Sequence, residues 1–231
     1  MFRMMFDPMY FVFALPALLL AFYAQFKVKS AYDKYLRVKN WLGLSGVEVA
    51  QRLLQATGLY NVKIESTRGY LSDHYDPRSK TLRLSQQVAQ GRSVAAASIV
   101  AHEVGHALQD AQNYAPLKLR SGLVPAAQIG SWLGPILFFL GLFIHPNLAW
   151  VGVGFFGLAA LFSLITLPVE FNASHRGLEL LKVYQVADGR QMAGAKKVLD
   201  AAALTYVAAL AQALSTLLYY VFLLTGSRRR R

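Results

Sequence analysis

Four long apolar stretches constrain the fold more than any other feature of this chain. They cover residues 9–26, 122–144, 148–168 and 201–224. A helix needs about 20 apolar residues to cross a bilayer core about 30 Å thick. The first three stretches are uncharged and are predicted to span a membrane. The fourth carries more polar side chains, and it is predicted to be either a fourth span or a helix packed against protein.

The first stretch has two interpretations. With Arg3 ahead of it, residues 9–26 could form a signal peptide that is cleaved. A retained span is favoured, because the stretch is long for a signal-peptide core and a cluster of lysines and arginines follows it at residues 27–39.

The distribution of charge predicts an orientation. The chain has 24 Lys and Arg against 12 Asp and Glu, with 14 of the basic residues in segment 27–121 and five in segment 169–200. Basic loops stay in the cytoplasm and bind anionic lipid. We therefore expect a protein of the cell (plasma) membrane with both segments in the cytoplasm. The basic tail, residues 225–231, would lie outside if the last helix crosses fully, and the sequence leaves its side open.

Segment 27–121 is long enough to fold as a small α+β unit. Apolar spacing predicts a helix over 47–57, alternation predicts a strand over 60–65, and the turn residues of 76–80 predict a hairpin within 70–85. A second helix is predicted over 94–110, with Ser93 as its N-cap.

The chemistry is concentrated in the helix 94–110, which contains the motif His102-Glu103-Val104-Gly105-His106. Two histidines four residues apart project from one helix face and suit two corners of a tetrahedral zinc site. Glu103 can then serve as general base for a water activated by zinc. The alternative is a pair of ordinary helix histidines. It is disfavoured because their apolar neighbours predict burial, and buried polar groups need a shared partner.

A third ligand must come from elsewhere in the chain. The chain has no Cys, which excludes thiolate ligands and disulfides. The extended motif HExxHxxGxxH fails at Gln109 and Gln112. Glu170, just after Pro168 at the predicted cytoplasmic end of the third span, is the best carboxylate. His175 is the runner-up.

The chain resembles the YugP-type membrane zinc metallopeptidases, the neutral zinc metallopeptidase family, over nearly its whole length. The resemblance is carried by the HExxH segment 102–109, by Pro168-Val169-Glu170-Phe171-Asn172-Ala173-Ser174, and by segments 73–78 and 203–207. More distantly the chain is similar to the HtpX and Ste24 proteases, which have Glu-Phe-x-Ala-Asp where this chain ends the pattern in Ser174. The resemblance implies that Glu170 is the third ligand, and it suggests that Ser174 replaces the aspartate that orients a ligand histidine.

The predicted fold is thus a multi-pass α-helical membrane protein with a small α+β, zincin-like HExxH unit on the cytoplasmic side. The predicted function is a zinc metalloendopeptidase with one Zn²⁺ on His102, His106 and Glu170, and with Glu103 as general base. His74 and Tyr206 are candidates for stabilising the oxyanion. The expected partners are peptide or protein substrates, membrane proteins among them, and anionic lipid, but not nucleic acid. The alternatives are a non-catalytic zinc-binding membrane scaffold and a zinc transporter.

Overall fold

A computed structural model describes the backbone of residues 8–228 and the side chains of residues 8–226. Arg3 and the last three arginines of the basic tail lie outside the described residues. The described part is mostly helical. In chain order its elements are α1 (Pro8–Leu36), α2 (Gly46–Ala56), β1 (Lys63–Thr67), β2 (His74–Asp76), β3 (Thr81–Ser85), α3 (Gln86–Gln90), α4 (Val94–Ala111), α5 (Ala115–Phe143), α6 (Pro146–Val183) and α7 (Gly189–Arg228).

Four helices, α1, α5, α6 and α7, are long and apolar enough to cross a membrane. This confirms the predicted apolar helices. All four extend beyond their apolar stretches, and segment 169–200 is largely the end of α6 and the start of α7. An interior proline removes one main-chain hydrogen bond and crowds the preceding turn. Pro168 nevertheless does not end α6, and the residues after it bury one helical face.

The described residues form two compact units. The helical unit contains residues 8–24, 119–167 and 205–228, and the α/β unit contains residues 25–118 and 168–204. In the helical unit a buried cluster forms around Phe138, whose ring stacks on Tyr220 with centroids 3.9 Å apart.

The α/β unit contains a mixed three-stranded sheet in the order β1-β3-β2. The central strand β3 pairs in parallel with β1 and antiparallel with β2. The hairpin was correctly predicted, but β2 begins only at His74. Gly69 and Leu71 adopt positive φ angles of 114° and 51°, which interrupt the extended backbone that a longer strand requires. As an edge strand, β2 leaves one side of its backbone unpaired within the sheet.

Capping residues mark the starts of α2 and α4, two helices that pack against each other. Ser45 and Glu48 form a capping box at the start of α2. The predicted N-cap of α4 is confirmed, since the Ser93 hydroxyl accepts a hydrogen bond from the Ala96 amide at 3.1 Å. Most of α4 is buried, and its small apolar residues join the core of the unit, where Leu82 and Leu84 of β3 are fully buried.

Candidate metal centre

The two histidines of the HExxH motif lie on one face of α4, one turn apart. Their ring centroids are 4.7 Å from each other. The His106 side chain is 10% exposed and that of His102 is 12% exposed. Both Nε2 atoms lie within 3.5 Å of one carboxylate oxygen, which belongs to a side chain of another helix.

That carboxylate is Glu170 of α6. Its Oε2 lies 3.2 Å from His102 Nε2 and 3.5 Å from His106 Nε2. The side chain of Glu170 is 1% exposed. One ligand atom from each of the three residues lies within 4.8 Å of the other two, so the group could hold one metal ion. The residue predicted to be the third ligand is therefore next to the histidine pair.

Two glycines allow α4 and α6 to approach each other this closely. A Cβ atom on Gly105 would lie 2.5 Å from the carbonyl oxygen of Ala173, and one on Gly177 would lie 3.0 Å from backbone atoms of Ala101 and His102. These helices thus touch backbone to backbone, which side chains at the two positions would prevent. Because Gly105 and Gly177 have no side chains, the two helices lie close enough for Glu170 to reach the histidines.

Each imidazole is also held at its other nitrogen. His102 Nδ1 lies 3.1 Å from the hydroxyl of Ser174, and His106 Nδ1 lies 2.9 Å from Oε1 of Gln109. Zinc ligands are commonly oriented by such contacts, which leave Nε2 available for the metal. Two imidazole nitrogens and one carboxylate oxygen form the ligand set of many catalytic zinc sites. The residues present therefore fit a zinc ion.

Glu103 lies beside the ligands on α4 and is 8% exposed. Its Oε2 accepts a hydrogen bond from the main-chain N–H of Tyr75 in β2, at 3.0 Å. Burial raises the pKa of Glu103 to about 7, with smaller contributions from the negative charges of Glu170 and Asp73, while His102 acts in the opposite direction. A carboxyl group whose pKa lies near neutrality can accept and release a proton at physiological pH.

The other sequence candidates lie in different surroundings. His74 is exposed in β2, and its Nδ1 is 2.8 Å from the carbonyl oxygen of Ser72. His175, the runner-up ligand, is at the surface, 3.3 Å from Glu179. Tyr206 lies in α7, in the helical unit. Roles for His74 and Tyr206 in stabilising an oxyanion stay predictions.

Two contacts of the site were not predicted. The sequence analysis assigns no role in the site to Gln109, although a polar side chain three residues after a ligand lies on the same helix face. The link between Tyr75 and Glu103 joins positions 28 residues apart, and periodicity within one element cannot reveal it.

Comparisons with known proteins identify the family of the chain. The model of a family described as "putative neutral zinc metallopeptidase" matches residues 10–225. The chain belongs to this family. It is 45% identical over 222 residues to a protein of Bacillus subtilis (strain 168) named "Putative membrane protease YugP", which covers 95% of this chain and 99% of that protein. No solved structure matches the chain.

Proposed function

We propose that this protein is a membrane-embedded zinc-dependent endopeptidase whose zincin-like α/β unit works on the cytoplasmic side. One observation carries the proposal: Glu170 Oε2 lies 3.2 and 3.5 Å from the Nε2 atoms of an HExxH pair. Membership of a zinc metallopeptidase family and the four apolar helices support it. The proposed orientation follows from the 14 basic residues of segment 27–121.

In this proposal His102, His106 and Glu170 hold one zinc ion. When bound, zinc polarises the scissile carbonyl and makes a water molecule acidic enough to react at neutral pH. Glu103 takes a proton from the attacking water and passes it to the nitrogen of the leaving amine. In the metal-free protein burial raises the pKa of Glu103, and a carboxylate of raised pKa is a stronger proton acceptor.

The edge strand β2 is the proposed binding surface for the substrate backbone. A peptide in extended conformation can add to an exposed strand edge through main-chain hydrogen bonds. Tyr75 in the middle of β2 bonds to Glu103, so a peptide aligned on this strand would pass close to the general base. The proposed substrates are extended segments of proteins at the cytoplasmic membrane face, membrane proteins among them. Anionic lipid is proposed to contact the basic loops.

A non-catalytic zinc scaffold is less well supported. A structural zinc site is closed by a fourth protein ligand. Within the part of the chain that the structure describes, the metal-binding group found has three members, and the carboxylate beside it, Glu103, is bonded to the backbone of β2. Three protein ligands leave one position for water, as in catalytic sites.

The decisive test compares Glu103→Gln with wild-type protein in detergent. We expect the variant to keep one zinc per chain and to lose at least about 100-fold in the rate of casein cleavage, the usual contribution of a general base. Glu65→Gln is the matched control, since Glu65 is half-exposed in β1 and pairs with Arg83. Cleavage by Glu103→Gln at the wild-type rate would refute the role of Glu103. Zinc binding without any proteolysis by the wild type would favour the scaffold.

A further inference from the structure

A chain of hydrogen bonds leads from the half-buried Arg176 to the ligand His106. Arg176 Nε donates to Asn172 Oδ1 at 2.6 Å. Gln109 Nε2 donates to the same Oδ1 at 3.0 Å and to the main-chain oxygen of Val169 at 2.8 Å. The other end of the Gln109 amide, Oε1, lies 2.9 Å from His106 Nδ1.

The chemistry of these groups fixes the direction of every bond. A guanidinium can only donate, so the atom of Asn172 that faces Arg176 must be its oxygen. That oxygen and the Val169 carbonyl are both acceptors, so the end of Gln109 that faces them must be its NH₂ group. Gln109 Oε1 therefore faces His106, and His106 Nδ1 must carry the hydrogen. In the neutral ring Nε2 then presents its lone pair towards Glu170.

Burial prevents the amide from turning over. Gln109 is fully buried. A rotated amide would place Oε1 against two other oxygens and would lose both of its donated bonds, and buried polar groups without partners are costly. The other ligand is held differently. The Ser174 hydroxyl at His102 can donate or accept, so it does not impose one tautomer.

We propose that Gln109 is a positioning residue for the zinc ligand His106, and that Asn172 and Val169 lock its amide in the one orientation that leaves Nε2 free for the metal. The inference rests on the proposed zinc site and deepens it. It makes His106 the histidine whose tautomer is set before the metal arrives, which lowers the cost of binding. Gln109 itself touches neither substrate nor metal in this proposal.

The test measures zinc affinity by competition with a chelating dye, with the thermal unfolding of chelator-treated protein as a check on folding. Gln109→Met keeps the length of the side chain but removes the acceptor, and we expect zinc affinity to fall about 10- to 100-fold. Gln112→Met is the matched control, because the side-chain oxygen of Gln112 accepts its hydrogen bond from Arg176 and not from a zinc ligand. Its affinity should stay within about twofold of wild type.

A third variant separates positioning from packing. Gln109→Glu restores an oxygen acceptor for His106 but places its other oxygen against two acceptors, so we expect tighter zinc binding than in Gln109→Met together with lower thermal stability. If Gln109→Met does not fold, Asn172→Ala tests the same series of hydrogen bonds at its outer end. We expect zinc affinity to fall by about threefold or more. Loss of zinc binding by His106→Ala, measured alongside, tests the proposed site itself.

Three results would overturn the inference: folded Gln109→Met with wild-type affinity, an equal loss in Gln112→Met, or a Gln109→Glu protein that binds zinc no better than Gln109→Met. Wild-type affinity in a folded Asn172→Ala protein would do the same. If wild-type protein and His106→Ala bind zinc equally, the proposed zinc site fails instead, so the two failures are distinguishable.

Discussion

The close contact between α4 and α6 can be tested by adding a single methyl group at Gly105. The new Cβ would lie 2.5 Å from the carbonyl oxygen of Ala173, and contacts of real Cβ atoms are essentially never shorter than 3.0 Å. In Gly105→Ala the two helices must therefore separate by about half an ångström or more. Overpacking of this kind costs about 1–3 kcal/mol, against a gain of up to about 1 kcal/mol in helix propensity. We expect a net loss of about 1–2 kcal/mol in the free energy of unfolding.

The same displacement reaches the metal site, because Glu170 lies one helical turn before Ala173. Ligand distances in a metal site tolerate only about 0.2 Å of error, so zinc affinity should fall as well. The assay is thermal unfolding in detergent, with an expected decrease in Tm of about 2–8 °C, combined with zinc competition. Gly157→Ala is the control, since a Cβ at Gly157 has nothing within 4 Å. If Gly105→Ala matches Gly157→Ala in both measurements, the helices do not need the glycine and the packing argument is wrong.

Three further outcomes follow from the site and the residues around it. Burial holds the pKa of Glu103 at about 7 in the metal-free protein, above its ordinary value of 4.5. The folded state therefore binds the Glu103 proton more tightly than the unfolded state does, and this contribution to the free energy of unfolding is present below about pH 4.5 and is lost as pH rises through 7. Chelator-treated Glu103→Gln should therefore exceed wild type in stability by up to about 3 kcal/mol at pH 8 and match it at pH 4, and equal pH profiles would contradict this. Ser174→Ala should weaken zinc binding about tenfold while Ser174→Asp restores it, as checked by zinc competition, and unchanged affinity in Ser174→Ala would show that His102 needs no such contact. Tyr75→Phe removes a hydrogen bond of 2.7 Å to Asp110 and should lower the free energy of unfolding by about 1 kcal/mol, as measured by thermal unfolding. Proteolysis should be nearly unchanged, because the main-chain bond from residue 75 to Glu103 remains. A large loss of proteolysis would implicate the hydroxyl in catalysis.

Much of this architecture could be predicted because its signals are local. The apolar stretches, the Ser93 cap and the spacing of His102 and His106 each depend on a few neighbouring residues. Glu170, which lies 64 residues beyond His106, is predicted from its position at the end of the third apolar stretch, and the resemblance to a known family supports the prediction. The helix ends were predicted less well, because α6 and α7 continue into polar sequence whose helical state depends on tertiary packing.

The contacts that complete the site could not be predicted from local patterns. Gly105 and Gly177 matter because two helices distant in sequence meet at them, and a helical pattern alone shows only that glycine is unfavourable there. The bonds from Gln109 to Val169 and Asn172 cross the same contact. Such contacts depend on how helices pack, which the period of a single helix does not encode.

The central claim is that His102, His106 and Glu170 together bind one zinc ion, and zinc content measured by mass spectrometry in Glu170→Gln tests it most directly. Glu179→Gln is the matched control, since Glu179 is an exposed carboxylate on the same helix. We predict one zinc per chain in wild type and in Glu179→Gln after dialysis against a weak chelator, and much less than one in Glu170→Gln. A full complement of zinc in correctly folded Glu170→Gln would contradict the account.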